Sequence, residues 1–186
     1  ENVSGLAFYG ETLYATLENR HHDGKLISIK GGKLTVLESS LQKPDGLILW
    51  LGFPTYTQEF DRSFVYAFRN GKSEPIFPAN GAEGIDGTEN GDLFVVEDKP
   101  SGRLLKYSKK SGSVVVLVDG LNQAEGVCVM ESGTIYYAEK SSDTVFQIVK
   151  GNVVPFVSGL TKPAYLYCDD SRDGVWITED RRHFGR

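Results

Sequence analysis

Apolar and polar residues along this chain alternate in short runs broken by turn-forming residues, the period-two signature of half-buried strands rather than of helices. The stretch from Glu83 to Gly120 shows the unit most plainly. It reads as four strands joined through Asn90-Gly91-Asp92, Lys99-Pro100-Ser101-Gly102 and Lys109-Lys110-Ser111-Gly112, each a Gly-containing connection of hairpin length. An antiparallel meander is predicted. The unit then recurs. Aligned on the Gly that opens each first strand, the repeats begin at Gly5, Gly46, Gly84 and Gly126, with Tyr165 in the fifth place, at separations of 41, 38, 42 and 39 residues.

A period near 40 with four strands per unit excludes the helical repeats of similar length and predicts an all-β fold, a β-propeller of four-stranded antiparallel blades. The blades are expected at about 3–42, 43–81, 82–122 and 123–161, with a half-blade at 162–186. Pro75, Pro78 and Pro155 fall in the fourth strands, which must then be the outer edges, because a central strand cannot lose an N–H donor. Four and a half blades leave open edges and uncovered apolar faces, on 3–42 and on the half-blade. The chain is therefore expected to form part of a six-bladed ring, completed by missing blades or a second chain. A closed four-bladed ring is the alternative.

Composition narrows the partners. A formal charge of -5 over 186 residues argues against nucleic acid and against an anionic membrane surface, both of which call for clustered Lys and Arg. No apolar run reaches the roughly 18 residues of a membrane span. Cys128 and Cys168 lie 40 residues apart, at similar places in successive repeats, without metal-ligand spacing. Two buried thiols are expected, with a disulfide as the alternative, and the compartment stays open, secreted or periplasmic favoured slightly over cytoplasmic.

The pattern of Gly-hydrophobic strand, x-Gly turn, hydrophobic-Val-x-Glu and then Gly-Arg-hydrophobic resembles the six-bladed propellers grouped around the NHL repeat, the gluconolactonase and senescence-marker-protein family, and strictosidine synthase. The resemblance covers nearly the whole chain. It is specific for architecture, since these families share the blade and differ in the site. It implies a divalent cation, calcium above all, held by acidic and amide side chains at the channel mouth. No contiguous motif transfers an individual ligand.

One spacing carries chemistry. Fourteen residues separate Asp45 from Glu59, Glu83 from Glu97, and Glu125 from Glu139. In a hairpin the start of the first strand lies beside the end of the second, so these acids share one face. Asp45, Glu83 and Glu125 are expected to ring the channel entrance, with Glu59, Glu97 and Glu139 one strand further out and Asp98 and Asp180 beside them. Asp45, Glu83, Glu125, Glu97 and Glu139 are the candidate metal ligands, because facing carboxylates repel unless a cation compensates them and hard cations take six to eight oxygens. The outer acids have another use, capping a loop or pairing with a base, as Glu97 would with Arg103. His21, His22 and His183 fall in loops of the same face and are the candidate catalytic bases, with three solvated loop residues as the alternative. Tyr165, in place of the opening Gly, would present its ring at the mouth. Trp50, Phe53, Tyr56, Tyr167 and Trp176 are expected mostly as core between blades; the Trp50-Leu51-Gly52-Phe53 connection lies on the opposite face, where an exposed apolar cluster would mark a contact with another chain or with missing segments.

These residues support two functions: metal-assisted hydrolysis of a lactone or ester, or a non-catalytic propeller that binds a protein, glycan or small ligand.

Overall fold

The computed structural model of the protein describes residues 2–19 and 23–180. His21, His22 and His183 lie outside the described residues. Four antiparallel four-stranded sheets follow one another along the chain. The first holds β1 (Asn2–Tyr9), β2 (Thr12–Glu18), β3 (Gly24–Lys30) and β4 (Lys33–Leu41). The second holds β5 (Pro44–Trp50), β6 (Phe53–Gln58), β7 (Phe64–Arg69) and β8 (Lys72–Pro78). The third consists of β9 (Ala82–Gly87), β10 (Leu93–Glu97), β11 (Pro100–Ser108) and β12 (Ser113–Asn122). The fourth consists of β13 (Ala124–Val129), β14 (Ile135–Glu139), β15 (Thr144–Val149) and β16 (Asn152–Ser158). A two-stranded sheet, β17 (Pro163–Asp169) and β18 (Gly174–Glu179), comes last. Strand order within each sheet is sequence order, and the helical content of the described residues is two 3-10 turns, Lys140–Ser142 and Asp170–Arg172. No helix among these residues is long and apolar enough to cross a membrane.

The core lies between blades rather than within them, since a twisted four-stranded sheet buries its faces only against a neighbour. Leu26, Leu41, Leu47 and Tyr56 seal the first blade to the second. Val65, Phe77, Ile85, Leu93 and Leu105 seal the second to the third, and Phe94, Leu104, Val127 and Tyr137 the third to the fourth. Where no further blade is present, apolar side chains stand in the open: Leu6 and Phe8 on β1, Tyr167 and Trp176 on the half-blade.

First strands gather around the axis, each packed on the next. The Gly that opens each of them is required by this approach. A Cβ on Gly46 would lie 2.5 Å from the Glu83 carbonyl oxygen, and one on Gly84 2.3 Å from that of Glu125. Thr hydroxyls on the second strands add a clip at the same level: Thr16 donates to the Asp45 carbonyl at 2.6 Å and Thr57 to the Glu83 carbonyl at 2.5 Å.

Two expectations are corrected. Cys128 and Cys168 form a disulfide between β13 and β17, their Cα atoms 5.5 Å apart. Adjacent inner strands share no ladder, but Gly126, whose Cβ would meet the Ala164 carbonyl at 2.2 Å, lets the two come within bridging distance. Trp50 joins the core between blades as expected, but Phe53 beside it does not. Leu51 and Phe53 face solvent, whereas Trp50 is buried, its indole N–H donating to the Gly91 carbonyl at 2.9 Å with the Arg69 guanidinium over its ring.

Candidate functional site

Every first strand carries the same irregularity in its pairing with the second. Between Pro44 and Leu47, Ala82 and Ile85, Ala124 and Val127, and Pro163 and Leu166 the register slips by a residue. The residues caught in the slip are Asp45-Gly46, Glu83-Gly84, Glu125-Gly126 and Ala164-Tyr165. Such a bulge breaks the alternation of the strand and re-aims the extra side chain. Here it brings the acids to the channel mouth. It also takes them out of register with the outer acids: Glu97 and Glu139 stand opposite Ala82 and Ala124, not opposite Glu83 and Glu125.

The outer acids turn to the segments that connect the blades. Glu97 is fully buried; it accepts the Asn80 N–H at 2.9 Å, two bonds from the Arg103 guanidinium at 2.8 and 2.6 Å, and lies 3.6 Å from Lys99. Burial pushes its carboxyl up, but Arg103, the Asn80 N–H and Lys99 outweigh that and hold it below the ordinary Glu value. Glu139 accepts the Asn122 N–H at 2.7 Å, and Glu179 accepts the Thr161 N–H. In the second blade the counterpart is Gln58, which accepts the Gln42 N–H at 2.6 Å, and not Glu59. The sequence alignment placed Glu59 one residue off because the turn after Trp50 is shorter. Its residues Leu51 and Gly52 both adopt positive φ, the tight two-residue hairpin.

The residue after each outer acid is the one that faces the mouth. Glu59, Asp98, Lys140 and Asp180 are structural equivalents, each donating its backbone N–H into the preceding connection, to the carbonyls of Lys43, Gly81, Gln123 and Lys162 at 2.7 to 3.0 Å. With the bulged acids they line a cavity of about 600 Å³, walled by Glu18, Asp45, Glu59, Glu83, Asp98, Glu125, Glu179 and Asp180. Lys140 is the one cationic wall residue among those described.

The centre of this mouth is a triad. One carboxylate oxygen each from Glu83, Asp98 and Glu125 lies within 4.8 Å of the others. Glu83 and Glu125 are 7% and 4% exposed, so the carboxyl groups face one another with little water between them. Burial, then the charges of Asp45 and Asp98, push Glu83 up to about 10, and its Oε2 is buried without a hydrogen-bond partner. Glu125 is paired with the Lys140 ammonium. Asp45 reaches across the channel: its Oδ1 accepts the Tyr165 hydroxyl at 2.8 Å. Burial pushes Asp45 up to about 6 against that hydrogen bond. Of the candidate ligands, the fold thus brings Asp45, Glu83 and Glu125 together and sends Glu97 and Glu139 elsewhere. Asp98 is the acid whose central place sequence spacing understated.

A half-buried acid, apart from this cluster, lies along the channel wall. Asp86 on β9 accepts the Gly87 N–H and, from the next blade, the Val129 N–H, both at 2.8 Å.

No protein-family model matches the sequence, and no curated protein matches it. Solved structures do. A putative gluconolactonase is 12% identical, with a TM-score of 0.75 over 94% of this chain and 70% of that one. A chain of the nidogen–laminin complex is 16% identical, with a TM-score of 0.79 over 95% of this chain and 72% of that one. The calcium-binding protein regucalcin from Agrobacterium tumefaciens is 14% identical, with a TM-score of 0.72 over 94% of this chain and 66% of that one. At these identities the likeness establishes the β-propeller fold, in the structural company that the repeat pattern implied.

Proposed function

We propose that this chain is the cation-holding part of a propeller hydrolase acting on a lactone or ester. The observation that carries the reading is the Glu83 Oε2 atom, buried without a partner inside a triad of carboxylates. A buried acceptor left unsatisfied is costly, and a hard cation such as calcium supplies the missing interaction. Glu83, Asp98 and Glu125 would hold it. When bound, such an ion polarises a carbonyl oxygen toward attack. The chain's own contribution is to bring three carboxylates to one point and to present Asp45 and Tyr165 to the polar end of a substrate. The proton-transfer role assigned to His21, His22 and His183 stays part of the proposal on sequence grounds alone. The gluconolactonase and regucalcin neighbours support this class of site. The disulfide suits an oxidising, secreted or periplasmic compartment.

The second reading is a non-catalytic propeller for a protein, glycan or small ligand, favoured by the neighbour from the nidogen–laminin protein complex. Calorimetric titration with calcium, paired with a panel of lactones and esters assayed with and without chelator, separates the two. Calcium binding that weakens by about tenfold or more in Glu83→Gln, with chelator-sensitive hydrolysis, is the expected result, since ligand charge tunes calcium affinity. Calcium binding without turnover of any lactone or ester would favour the second reading. No calcium binding at all would overturn the cation site.

A further inference from the structure

Resting on that cation-site reading, we propose that Lys140 is a tethered counter-cation that sits on the carboxylate triad until a divalent ion displaces it. Its place in the repeat carries the argument. Glu59, Asp98 and Asp180 occupy the same position in the second, third and fifth units, fixed by the same backbone hydrogen bond, and all are acids. The fourth unit alone among these has a base there, and its ammonium is paired with Glu125, the triad member on the same blade.

The pair is enclosed, the side chains of Lys140 and Glu125 being 21% and 6% exposed. Without the ammonium, the carboxyl groups of Glu83, Asp98 and Glu125 would crowd within 4.8 Å of one another with no cation beside them. A lysine suits this task because its charge is a compact point on a flexible four-carbon stem, able to leave without moving the main chain. The main chain here is anchored. The Lys140 N–H donates to Gln123 at 2.9 Å and the neighbouring Ser141 hydroxyl donates to the Asn122 carbonyl at 2.6 Å. Only the side chain has to swing out.

Displacement sets the affinity. An ion can use Glu125 fully only in the fraction of molecules whose ammonium has left, so the apparent affinity is lowered by that fraction. Lys140 would thereby tune the site to high calcium and keep the acids neutralised below it.

Calorimetry on the full chain tests this with calcium as the probe. Lys140→Met should bind calcium about tenfold tighter than wild type, the gain expected if the ammonium is away about a tenth of the time. Its unfolding midpoint in chelator should fall, because Glu125 is left buried without a partner. Lys43→Met, which removes an ammonium paired with Glu59 on the same mouth, should leave calcium affinity within about twofold. Equal calcium affinity in wild type and Lys140→Met would overturn the displacement while leaving the cation site standing. Failure of both proteins to bind calcium would overturn the cation site and this inference together. If Lys140→Met does not fold, carbon-13 NMR of the Lys140 Cε in wild type gives the answer: calcium should shift this resonance toward that of a solvated lysine. A resonance that stays fixed while calcium binds would overturn the proposal.

Discussion

Asp86 is a carboxylate held in the channel wall by two backbone N–H donors, and burial, with Asp170 adding to it, pushes its carboxyl up to about 6 despite them. In the unfolded chain it titrates near the ordinary aspartate value of 3.8. Between these values the folded form keeps a proton that the unfolded form has lost, so this group's contribution falls as pH rises from about 4 to about 6 and is flat above. Two pKa units correspond to about 3 kcal/mol. Asp86→Asn removes that slope. Its stability relative to wild type should become more favourable by about 3 kcal/mol from pH 4 to pH 7, whatever its offset from the altered bonds to Gly87 and Val129. Urea unfolding at a series of pH values measures it, and parallel curves would refute it. The opening glycines act by a different means. Gly84→Ala puts a Cβ 2.3 Å from the Glu125 carbonyl, a rigid backbone atom on the next blade, and should cost about 3 kcal/mol or more through overpacking. Thermal unfolding checks this, and a midpoint equal to wild type would contradict it. Those glycines were visible in the sequence as the marks of the repeat. Their reason was not, since the obstructing carbonyl is some 40 residues away.

At the scale of the strand, two bulges recur in every four-stranded blade. The inner one aims the acid at the channel, and its only trace in sequence is the acid-Gly pair itself. The outer one falls in the fourth strand, where Leu37, Ile76, Leu117 and Phe156 are skipped in the ladder with the third. It bends an apolar edge that would otherwise invite a second chain. Pro75 and Pro155 sit beside it in β8 and β16, as the sequence required of edge strands, whereas β12 carries Val114 to Val118 without a proline. The second strands end in the acid or Gln that ties the connecting segment to the blade. Glu97 shows what that tie is worth, because it is buried and depends on a partly exposed Arg103. Arg103→Leu leaves the carboxylate with Lys99 and the Asn80 N–H alone. Breaking one side of a buried pair costs about 3 to 5 kcal/mol, and the remaining Lys99 places the expected loss near the lower end. The double variant Arg103→Leu with Glu97→Leu should recover part of it, since both charges are then gone. A double variant less stable than the single one would refute this account. The pairing of Glu97 with Arg103 was legible from sequence as a base opening the third strand six residues on. The capping of Asn80 was not, because that loop belongs to the preceding connection.

For the molecule as a whole, the 40-residue period sufficed to give sheet number, strand order and the face on which the acids gather, because each follows from one unit repeated. What escaped were relations between units: that the residue after each outer acid also faces the mouth, which segment each outer acid ties down, and how Cys128 meets Cys168. The last of these decides how the half-blade is held. β17 and β18 form a two-stranded sheet, which is marginal alone. Beyond the packing of β17 on β13, two side chains tie it to the fourth blade, Asp170 accepting the Glu131 N–H at 2.8 Å and Asp143 accepting the Lys162 N–H at 3.1 Å. The disulfide adds a covalent tie at the channel. Closing a loop of 40 residues is worth about 4 kcal/mol in the chain-entropy treatment. Replacing both cysteines by Ser should therefore lower global stability by about that amount. The loss should not be uniform, because 163–179, among the described residues, packs on the fourth blade alone along one side and opens first when its tie is cut. Hydrogen exchange should show the β17 and β18 amides losing protection ahead of β9 and β10, with protease cleavage in the same segment. Unchanged protection in the half-blade of the double Ser variant would mean that inner-strand packing alone holds it, and that the disulfide is not what fixes Tyr165 over Asp45.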